Sequence, residues 1–313
     1  MFEVLSAHIE SHNPRMADII DASARLICVD SSSQHTEGPV YIPANASLSD
    51  SLDDSVVWSD VKGDRVLRWH QDEVSILREN SHFQNGNALD LDGRLVACSH
   101  GDRAIVYQED NGEWHTLVDR YLSKRFNSPN DLVVKRDGTI WFTDPPFGLT
   151  QAAEGCGGKQ EQSGSFVFRY DPSTREINQA VIDMVRPNGL AFSPDERLLY
   201  ISDTSAYEDP QLYHHIRVYE IVDGRWTRHG KTFAVIEPGQ PDGLCVDAQG
   251  NVFVSAQDGI QIYAADGTCL GKIHIPEVCS NVTIGGKQNN RLFITAGKSL
   301  YFVDLKENLN NGH

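Results

Sequence analysis

Residues 127–149 read NSPNDLVVKRDGTIWFTDPPFGL and contain two short apolar runs, LVV and TIWFTD, separated by a turn at RDG. The same arrangement returns at PNGLAFSPDERLLYISDT (187–204) and at PDGLCVDAQGNVFVSA (241–256). Each copy begins with an oxygen-bearing polar residue, continues into a β-branched or aromatic strand, turns at Gly or Asp and enters a second strand. This pattern predicts a β-repeat with one polar residue at a fixed place in every unit.

The repeat extends over most of the chain. Six positions carry it: Glu37, Asn87, Asn130, Asn188, Asp242 and Asn281. The mean step between them is about 49 residues, which is in the range of a four-stranded propeller blade. We therefore predict an all-β fold, a six-bladed β-propeller with a central divalent-metal site. The expected boundaries are a single domain over 1–313, an N-terminal extension over 1–22 and blades over roughly 23–310.

A closed ring would direct the repeated polar residues toward one axis. Glu37, Asn130, Asn188 and Asp242 would then provide two carboxylates and two amide oxygens, a donor set for hard cations. Ca²⁺ is the first expectation, with Mg²⁺, Mn²⁺, Zn²⁺ or Fe²⁺ as alternatives. The absence of thiolate and imidazole at these positions disfavours a structural zinc site. The alternative interpretation is that these residues only form turns and caps at strand starts.

The composition excludes several classes of partner. The formal net charge of −17 disfavours nucleic acid and anionic membranes. The N-terminus lacks the basic and apolar regions of a secretory signal, and none of the six cysteines forms a C-x-x-C pair. These features predict a cytoplasmic protein with free thiols. The oligomeric state is left open.

Residues at the ends of second strands are candidates for binding and catalysis. Insertions at 150–164 and 205–215 both follow a second strand, which predicts that they lie on one rim of the ring. His100 and Arg103 follow the second repeat's strand, where they could contact a hydroxylated or anionic substrate. Asp144 and Asp203 end second strands and could supply a general base or bind backbone N–H groups. The structural role is favoured for Asp144, whereas both roles stay open for Asp203.

The segments TEGPVY, NSPNDLVVKRDGTIWFTDPPFGL, RPNGLAFSPDERLLYISDT, PDGLCVDAQGNVFVS and SNVTIGG resemble the gluconolactonase / SMP-30 / regucalcin-like family. The resemblance covers roughly residues 25–305 and is nearest to the bacterial gluconolactonase branch. It implies a six-bladed propeller with metal ligands at Glu37, Asn130, Asn188 and Asp242, and an acid/base role for Asp242. It also implies a substrate-binding role for Arg125, in KRFNSPND. The second repeat departs from the common NGL pattern, with Asn87-Ala88-Leu89 in its place.

The resulting hypothesis is metal-assisted hydrolysis of a small-molecule sugar lactone to the aldonic acid. Asp242, or Asp203 as a second candidate, would take a proton from the attacking water. Asn87, His100, Arg103 and Asn281 would orient sugar hydroxyls. Two alternatives are an organophosphate hydrolase, in which Asp242 could be a nucleophile, and a non-catalytic calcium-binding propeller. Transfer of labelled oxygen into the protein would identify the first, and cation-dependent stabilisation without turnover would identify the second.

Overall fold

In the part of the chain that the structure describes, there are six antiparallel sheets of four or five strands and one extra two-stranded ribbon. The computed structural model describes residues 2–44 and 54–306. The predicted all-β class and the six-bladed arrangement are confirmed.

The N-terminal segment contains three strands and one short helix. They are β1 (Glu3–Ser6), β2 (His8–Ser11), α1 (Met16–Ile19) and β3 (Arg25–Asp30). The strands do not form a separate sheet: β2 and β3 pair with strands from much later in the chain, and β1 pairs with β3.

Blades 1 to 3 are built in chain order from the axis outward. Blade 1 contains β4 (Thr36–Ile42), β5 (Ser55–Asp60), β6 (Arg65–His70) and β7 (Glu73–Glu79). Blade 2 contains β8 (Gln84–Leu89), β9 (Leu95–Ser99), β10 (Ala104–Gln108) and β11 (Trp114–Val118), and the ribbon β12 (Arg120–Tyr121) and β13 (Lys124–Arg125) follows it. Blade 3 contains β14 (Leu132–Val134), β15 (Ile140–Asp144), helix α2 (Phe147–Thr150), β16 (Phe166–Asp171) and β17 (Glu176–Val181).

Blades 4 to 6 repeat this order. Blade 4 contains β18 (Pro187–Phe192), β19 (Leu198–Asp203), a 3-10 turn (Ser205–Tyr207), β20 (His215–Val222), β21 (Trp226–Thr227) and β22 (Lys231–Val235). Blade 5 contains β23 (Leu244–Val246), β24 (Val252–Ala256), β25 (Gly259–Tyr263) and β26 (Cys269–His274). Blade 6 contains β27 (Cys279–Gly285), β28 (Arg291–Ala296) and β29 (Ser299–Asp304).

The N-terminal strands close the ring. Strand β3 pairs with β29 and so supplies the fourth strand of blade 6, while β1 adds a fifth strand beyond it. Strand β2 pairs with β26 as the fifth strand of blade 5. The segment predicted as an N-terminal extension therefore covers the edges of two blades, which protects their unpaired backbone groups from association with other chains.

The first strands of the six blades surround the axis. β4 contacts β8, and the contacts continue through β14, β18, β23 and β27 back to β4. Apolar side chains of β5, β9, β15, β19, β24 and β28 fill the spaces between the sheets, with Trp58, Trp141 and Phe253 fully buried. In the described chain each α-helix has four residues, and none could span a membrane.

Glycine allows the inner strands to approach each other closely. A Cβ atom on Gly38, whose φ is +49°, would lie 2.2 Å from the carbonyl oxygen of Asn85. A Cβ atom on Gly189 would lie 2.5 Å from the carbonyl oxygen of Asp242. A side chain at either place would force the blades apart, so these glycines set how near the residues before them come to the axis.

Candidate functional site

One residue at the start of each inner strand lies at a common level of the channel. The residues that pack against the inner-strand glycines identify this level. Gly38 lies against Asn85 and Gly86, and Gly86 lies against Asn130 and Asp131. Gly189 lies against Asp242 and Gly243. Backbone bonds link the same level, from Gly243 N–H to the Ser280 carbonyl and from Gly86 N–H to the Asn130 carbonyl. The ring of the six residues is Glu37, Asn85, Asn130, Asn188, Asp242 and Ser280.

Blades 2 and 3 contribute a wall of two amides and one imidazole. The Nδ2 atoms of Asn85 and Asn130 lie 3.3 and 3.5 Å from Nε2 of His100. Nδ1 of His100 lies 2.8 Å from the backbone carbonyl oxygen of Glu154, which can only accept, so Nδ1 carries the proton and Nε2 is the acceptor. Burial lowers the pKa of His100, which favours this neutral form. His100 thus fixes both amide groups with their Oδ1 atoms turned away from it.

Glu37 and Asp242 bring carboxylates to the ring from blades 1 and 5. Burial, then the charges of Asp242 and Asp131, raise the pKa of Glu37 well above its usual value. Burial, then the charges of Asp131 and Glu154, raise the pKa of Asp242 to about 8, and a bond from Asn188 opposes this shift. Without a counter-charge, both shifts favour the protonated, neutral carboxyl groups over the ionised pair.

A second layer lies directly below Glu37. Asp131 and Asn281 occupy the position that is glycine in the other four blades, and Nδ2 of Asn281 lies 3.2 Å from Oδ2 of Asp131. Burial raises the pKa of Asp131 to about 6. Both residues also line a cavity of about 340 Å³ at the opposite end of the channel, so this layer separates the ring from that cavity.

Asn85 was not among the predicted site residues, whereas Asn87 was. Nδ2 of Asn87 donates to the Gly38 carbonyl, the Ser59 hydroxyl and the Asn85 carbonyl, and its Oδ1 accepts from Gln84. These hydrogen bonds occupy the side-chain amide of Asn87 with groups of blades 1 and 2. The sequence does contain a signal for Asn85: the dipeptide Asn85-Gly86 matches Glu37-Gly38, Asn188-Gly189 and Asp242-Gly243.

Asp203 lies at a strand end, and its carboxylate accepts hydrogen bonds from backbone N–H groups. Its two carboxylate oxygens accept N–H bonds from Val185 (3.0 Å), Arg186 (3.3 Å) and Ser205 (3.0 Å). Asp144 is placed in the same way in blade 3 and accepts the N–H of Asn127 at 2.9 Å. Both residues are fully buried, and both hold the loop that leads into the inner strand of their own blade. We do not retain Asp203 as a general base.

The two predicted arginines bind carbonyl oxygens of the rim. Nε of Arg103 donates to the carbonyls of Phe126 (2.7 Å) and Asn127 (3.1 Å), and its side chain is 9% exposed. The Arg125 guanidinium donates to the carbonyl of Asp102 at 2.5 Å. Both cations therefore hold the segment before Asn130, which gives them a role in placing that residue.

The insertion 150–164 contributes Glu154, which sequence reasoning missed. Its backbone carbonyl binds His100, and its carboxylate lies 3.2 Å from Nζ of Lys62 in blade 1. The Glu154 side chain is 11% exposed, and its charge acts on Asp242 and His100. The insertion thus covers the same end of the channel as the ring. No repeat pattern marks this position, because the loop occurs in only one blade.

By its fold and its site, this protein belongs to the class of six-bladed β-propellers that have oxygen donors on the axis and a loop over one end of the channel. The chain belongs to the SMP-30/Gluconolactonase/LRE-like family, whose model matches residues 35–298. The resemblance inferred from the sequence is thereby confirmed.

Three relatives are informative. A gluconolactonase of Zymomonas mobilis is 33% identical, over 95% of this chain and 86% of that protein. A pentonolactonase of Haloferax volcanii is 26% identical, over 85% and 83%. The solved structure of a gluconolactonase from Xanthomonas campestris is 38% identical, covers 97% of this chain and 98% of the other, and superposes with a TM-score of 0.86.

Proposed function

We propose that this protein hydrolyses a sugar lactone to the aldonic acid, using a divalent cation held by Glu37, Asn130, Asn188 and Asp242. Its family and its gluconolactonase and pentonolactonase relatives make it a lactone-hydrolysing enzyme, in the class of carboxylic ester hydrolases. The observation that carries the proposal further is the ring of oxygen donors at the axis. Gluconolactone is the first candidate substrate, because the relatives that are 33% and 38% identical are gluconolactonases.

The residues of the ring fit a hard cation. Oδ1 of Asp242 is buried without a hydrogen-bond partner in the described chain. An unsatisfied buried oxygen is costly, and here it lies on a carboxylate whose pKa, like that of Glu37, is raised first by burial and then by neighbouring carboxylates. A divalent cation would satisfy both conditions, since carboxylate and amide oxygens are its preferred ligands. Ca²⁺ is the first expectation for this donor set.

Asp242 is the group we assign to proton transfer. Bound at the ring, a divalent cation would supply Lewis-acid polarisation of the lactone carbonyl and a lower pKa for water. Asp242 is partly exposed, and with Oδ1 bound to the cation its other carboxylate oxygen would accept the proton from the attacking water. Its backbone is fixed by the Ser202 hydroxyl, which donates to the Asp242 carbonyl at 2.6 Å.

Asn85 and Asn130 are assigned to substrate orientation and cation binding from the wall of blades 2 and 3. Because Nε2 of His100 holds both Nδ2 groups, their Oδ1 atoms are available to accept hydrogen bonds or a cation. Asn85 Oδ1 suits a sugar hydroxyl, which donates to an amide oxygen. Glu154 and Lys62 at the mouth provide a charged pair that further hydroxyls could contact.

Indicator-detected hydrolysis of δ-gluconolactone and a panel of pentonolactones tests the proposal. The rate is measured after chelation and after return of Ca²⁺, Mg²⁺, Mn²⁺, Zn²⁺ or Fe²⁺, with the spontaneous rate subtracted. We expect cation-dependent acceleration that Asp242→Asn lowers by about 10²–10⁴-fold. The control is Asp258→Asn in the same blade, whose carboxylate pairs with Lys272 on an outer strand. A protein that binds cation yet accelerates no lactone would contradict the proposal and favour a binding propeller or a phosphoester hydrolase.

A further inference from the structure

Asn281 links carboxylates from two other blades. It lies in blade 6, is 6% exposed, and its Nδ2 lies 3.2 Å from Oε2 of Glu37 in blade 1 and 3.2 Å from Oδ2 of Asp131 in blade 3. Its Oδ1 accepts the N–H of Val282 at 2.8 Å, which fixes the orientation of the amide. One side chain therefore ties together three blades directly below the ring.

An amide is well suited to this place. A carboxamide nitrogen carries two hydrogens and no charge, so it can donate to two carboxylates at once. A serine offers one hydrogen, a carboxylate would add a third negative charge, and a lysine would add a positive charge below the cation. Glycine, which four of the other five blades have at this position, would offer no donor to Glu37 or Asp131.

The bond fixes the orientation of the Glu37 carboxylate. Oε2 accepts from Asn281 and from the Gly38 N–H at 2.9 Å, whereas Oε1 has no hydrogen-bond partner in the described chain. One oxygen is thus held by Asn281 and Gly38, and the other is left free to bind a ligand. Loss of the donor would free the carboxylate to turn toward the cavity of about 340 Å³ that Asn281 itself lines.

We propose that Asn281 is a positioning residue, which holds Glu37 in the orientation that presents one oxygen to the cation and braces it against Asp131 across the channel. This rests on the cation of the proposed function. It differs from the substrate-binding role predicted from the sequence, because the amide faces the two carboxylates and its oxygen is bound to the backbone. Groups that orient a metal ligand change metal affinity by about 10- to 100-fold when they are removed.

Calcium titration calorimetry of the folded full-length protein provides the first test. We expect Asn281→Leu, which keeps the approximate shape, to lower Ca²⁺ affinity by about 10- to 100-fold. The matched control is Asn178→Leu, since Asn178 is equally buried but donates to the Arg225 carbonyl on the outer side of blades 3 and 4. Saturating Ca²⁺ should return kcat/KM of Asn281→Leu to within about threefold of wild type, a recovery that general misfolding would not give.

Exchanging Asp131 and Asn281 distinguishes an effect of the orientation of the Glu37 carboxylate from an effect of the net charge of the channel. Asp131→Asn with Asn281→Asp keeps the net charge of the channel and removes the donor to Glu37. We expect Ca²⁺ affinity to stay at least about tenfold below wild type in this double variant. Wild-type affinity in either Asn281→Leu or the double variant would overturn the positioning role while leaving the proposed function intact. Absence of cation binding by the wild type would overturn both.

Discussion

Ser202 and Asp242 are joined across a blade boundary: the Ser202 hydroxyl in β19 of blade 4 donates to the Asp242 backbone carbonyl of blade 5, with an O–O distance of 2.6 Å. Ser59 in blade 1 reaches the Asn85 carbonyl of blade 2 at 2.7 Å, and Ser255 in blade 5 reaches the Ser280 carbonyl of blade 6 at 2.9 Å. These three hydroxyls hold ring residues through the backbone, and Oδ1 of Asn85 and Oδ1 of Asp242 keep no hydrogen-bond partner in the described chain, whereas the Ser280 hydroxyl donates to the Thr36 carbonyl.

Asn85 and Asn87 should respond differently to the same substitution. Asn85→Leu is expected to lower kcat/KM for the lactone by about tenfold to a hundredfold, because one hydrogen bond to a substrate hydroxyl is lost, with little change in melting temperature. Asn87→Leu removes scaffold bonds and should lower the free energy of unfolding by about 1–3 kcal/mol. Denaturant unfolding and steady-state kinetics on both variants check this. Equal kinetic losses would contradict the assigned roles.

Asp203→Asn should behave as a folding variant. The carboxylate accepts three backbone N–H groups, and an amide would present hydrogens to one or more of them. We expect a loss of about 1–3 kcal/mol in unfolding free energy and near-normal kcat in the protein that remains folded. Kinetics normalised to folded protein, measured below the melting temperature, provide the check. A bell-shaped rate profile that loses one limb in this variant would restore Asp203 as an acid or base.

The cation-free protein should lose stability as pH rises. The pKa of Asp242 is raised to about 8 in the folded state, above the ordinary aspartate value, so the folded state binds the proton more tightly than the unfolded chain. Its stabilising contribution is present at low pH and is lost as pH rises through about 8. Asp144, whose pKa is also raised to about 8, and Asp131, at about 6, act in the same direction.

Melting temperatures of chelated protein from about pH 5 to about pH 9 test this dependence. Saturating Ca²⁺ should flatten the upper part of the curve, because a bound cation favours the ionised carboxylates. Binding at about pH 7 should also release protons, which calorimetry in buffers of different ionisation enthalpy detects. A chelated protein that is more stable at high pH would contradict the charge balance described for the ring.

Two N-terminal deletions should distinguish the protection of blade edges from the closure of the propeller ring. The first deletion takes the first eleven residues. This change removes β1 and β2, the fifth strands of blades 6 and 5, and should give a folded protein with a lower melting temperature and more self-association. Deletion of the first thirty residues also removes β3, the fourth strand of blade 6, and should prevent cooperative folding. Light scattering and thermal unfolding monitored by circular dichroism distinguish the two outcomes.

The sequence supported the six-bladed ring because every blade repeats a strand, a turn and a second strand. Glu37, Asn130, Asn188 and Asp242 could be chosen because each starts an inner strand. Asn85 and Ser280 were missed because the repeated polar residue was placed two positions too late in the second repeat, at Asn87, and one position too late in the sixth, at Asn281. In blades 1, 2, 4 and 5 the ring residue is followed by glycine, whereas Ser280 is followed by Asn281, so the sixth repeat lacks this mark.

The contacts made by the rim residues could not be predicted from the sequence, for a different reason. Arg103, Arg125 and Glu154 are placed by loops that occur once in the chain, so no repeat marks them. An arginine near a binding motif can face a substrate or a carbonyl oxygen, and only the fold distinguishes these. The same holds for Asp203, whose position at a strand end suits a base and a loop anchor equally well.

The pairing of β3 with β29 has a consequence for biosynthesis. Glu37 follows β3 closely, and its blade adjoins blade 6, whose last strand is among the last parts of the described chain to leave the ribosome. The donors of blades 3, 4 and 5 are made before the channel exists as an enclosed space. A growing polypeptide should therefore be unable to capture a cation firmly until β29 has emerged and bound β3, so the onset of tight capture would report that translation has passed residue 304.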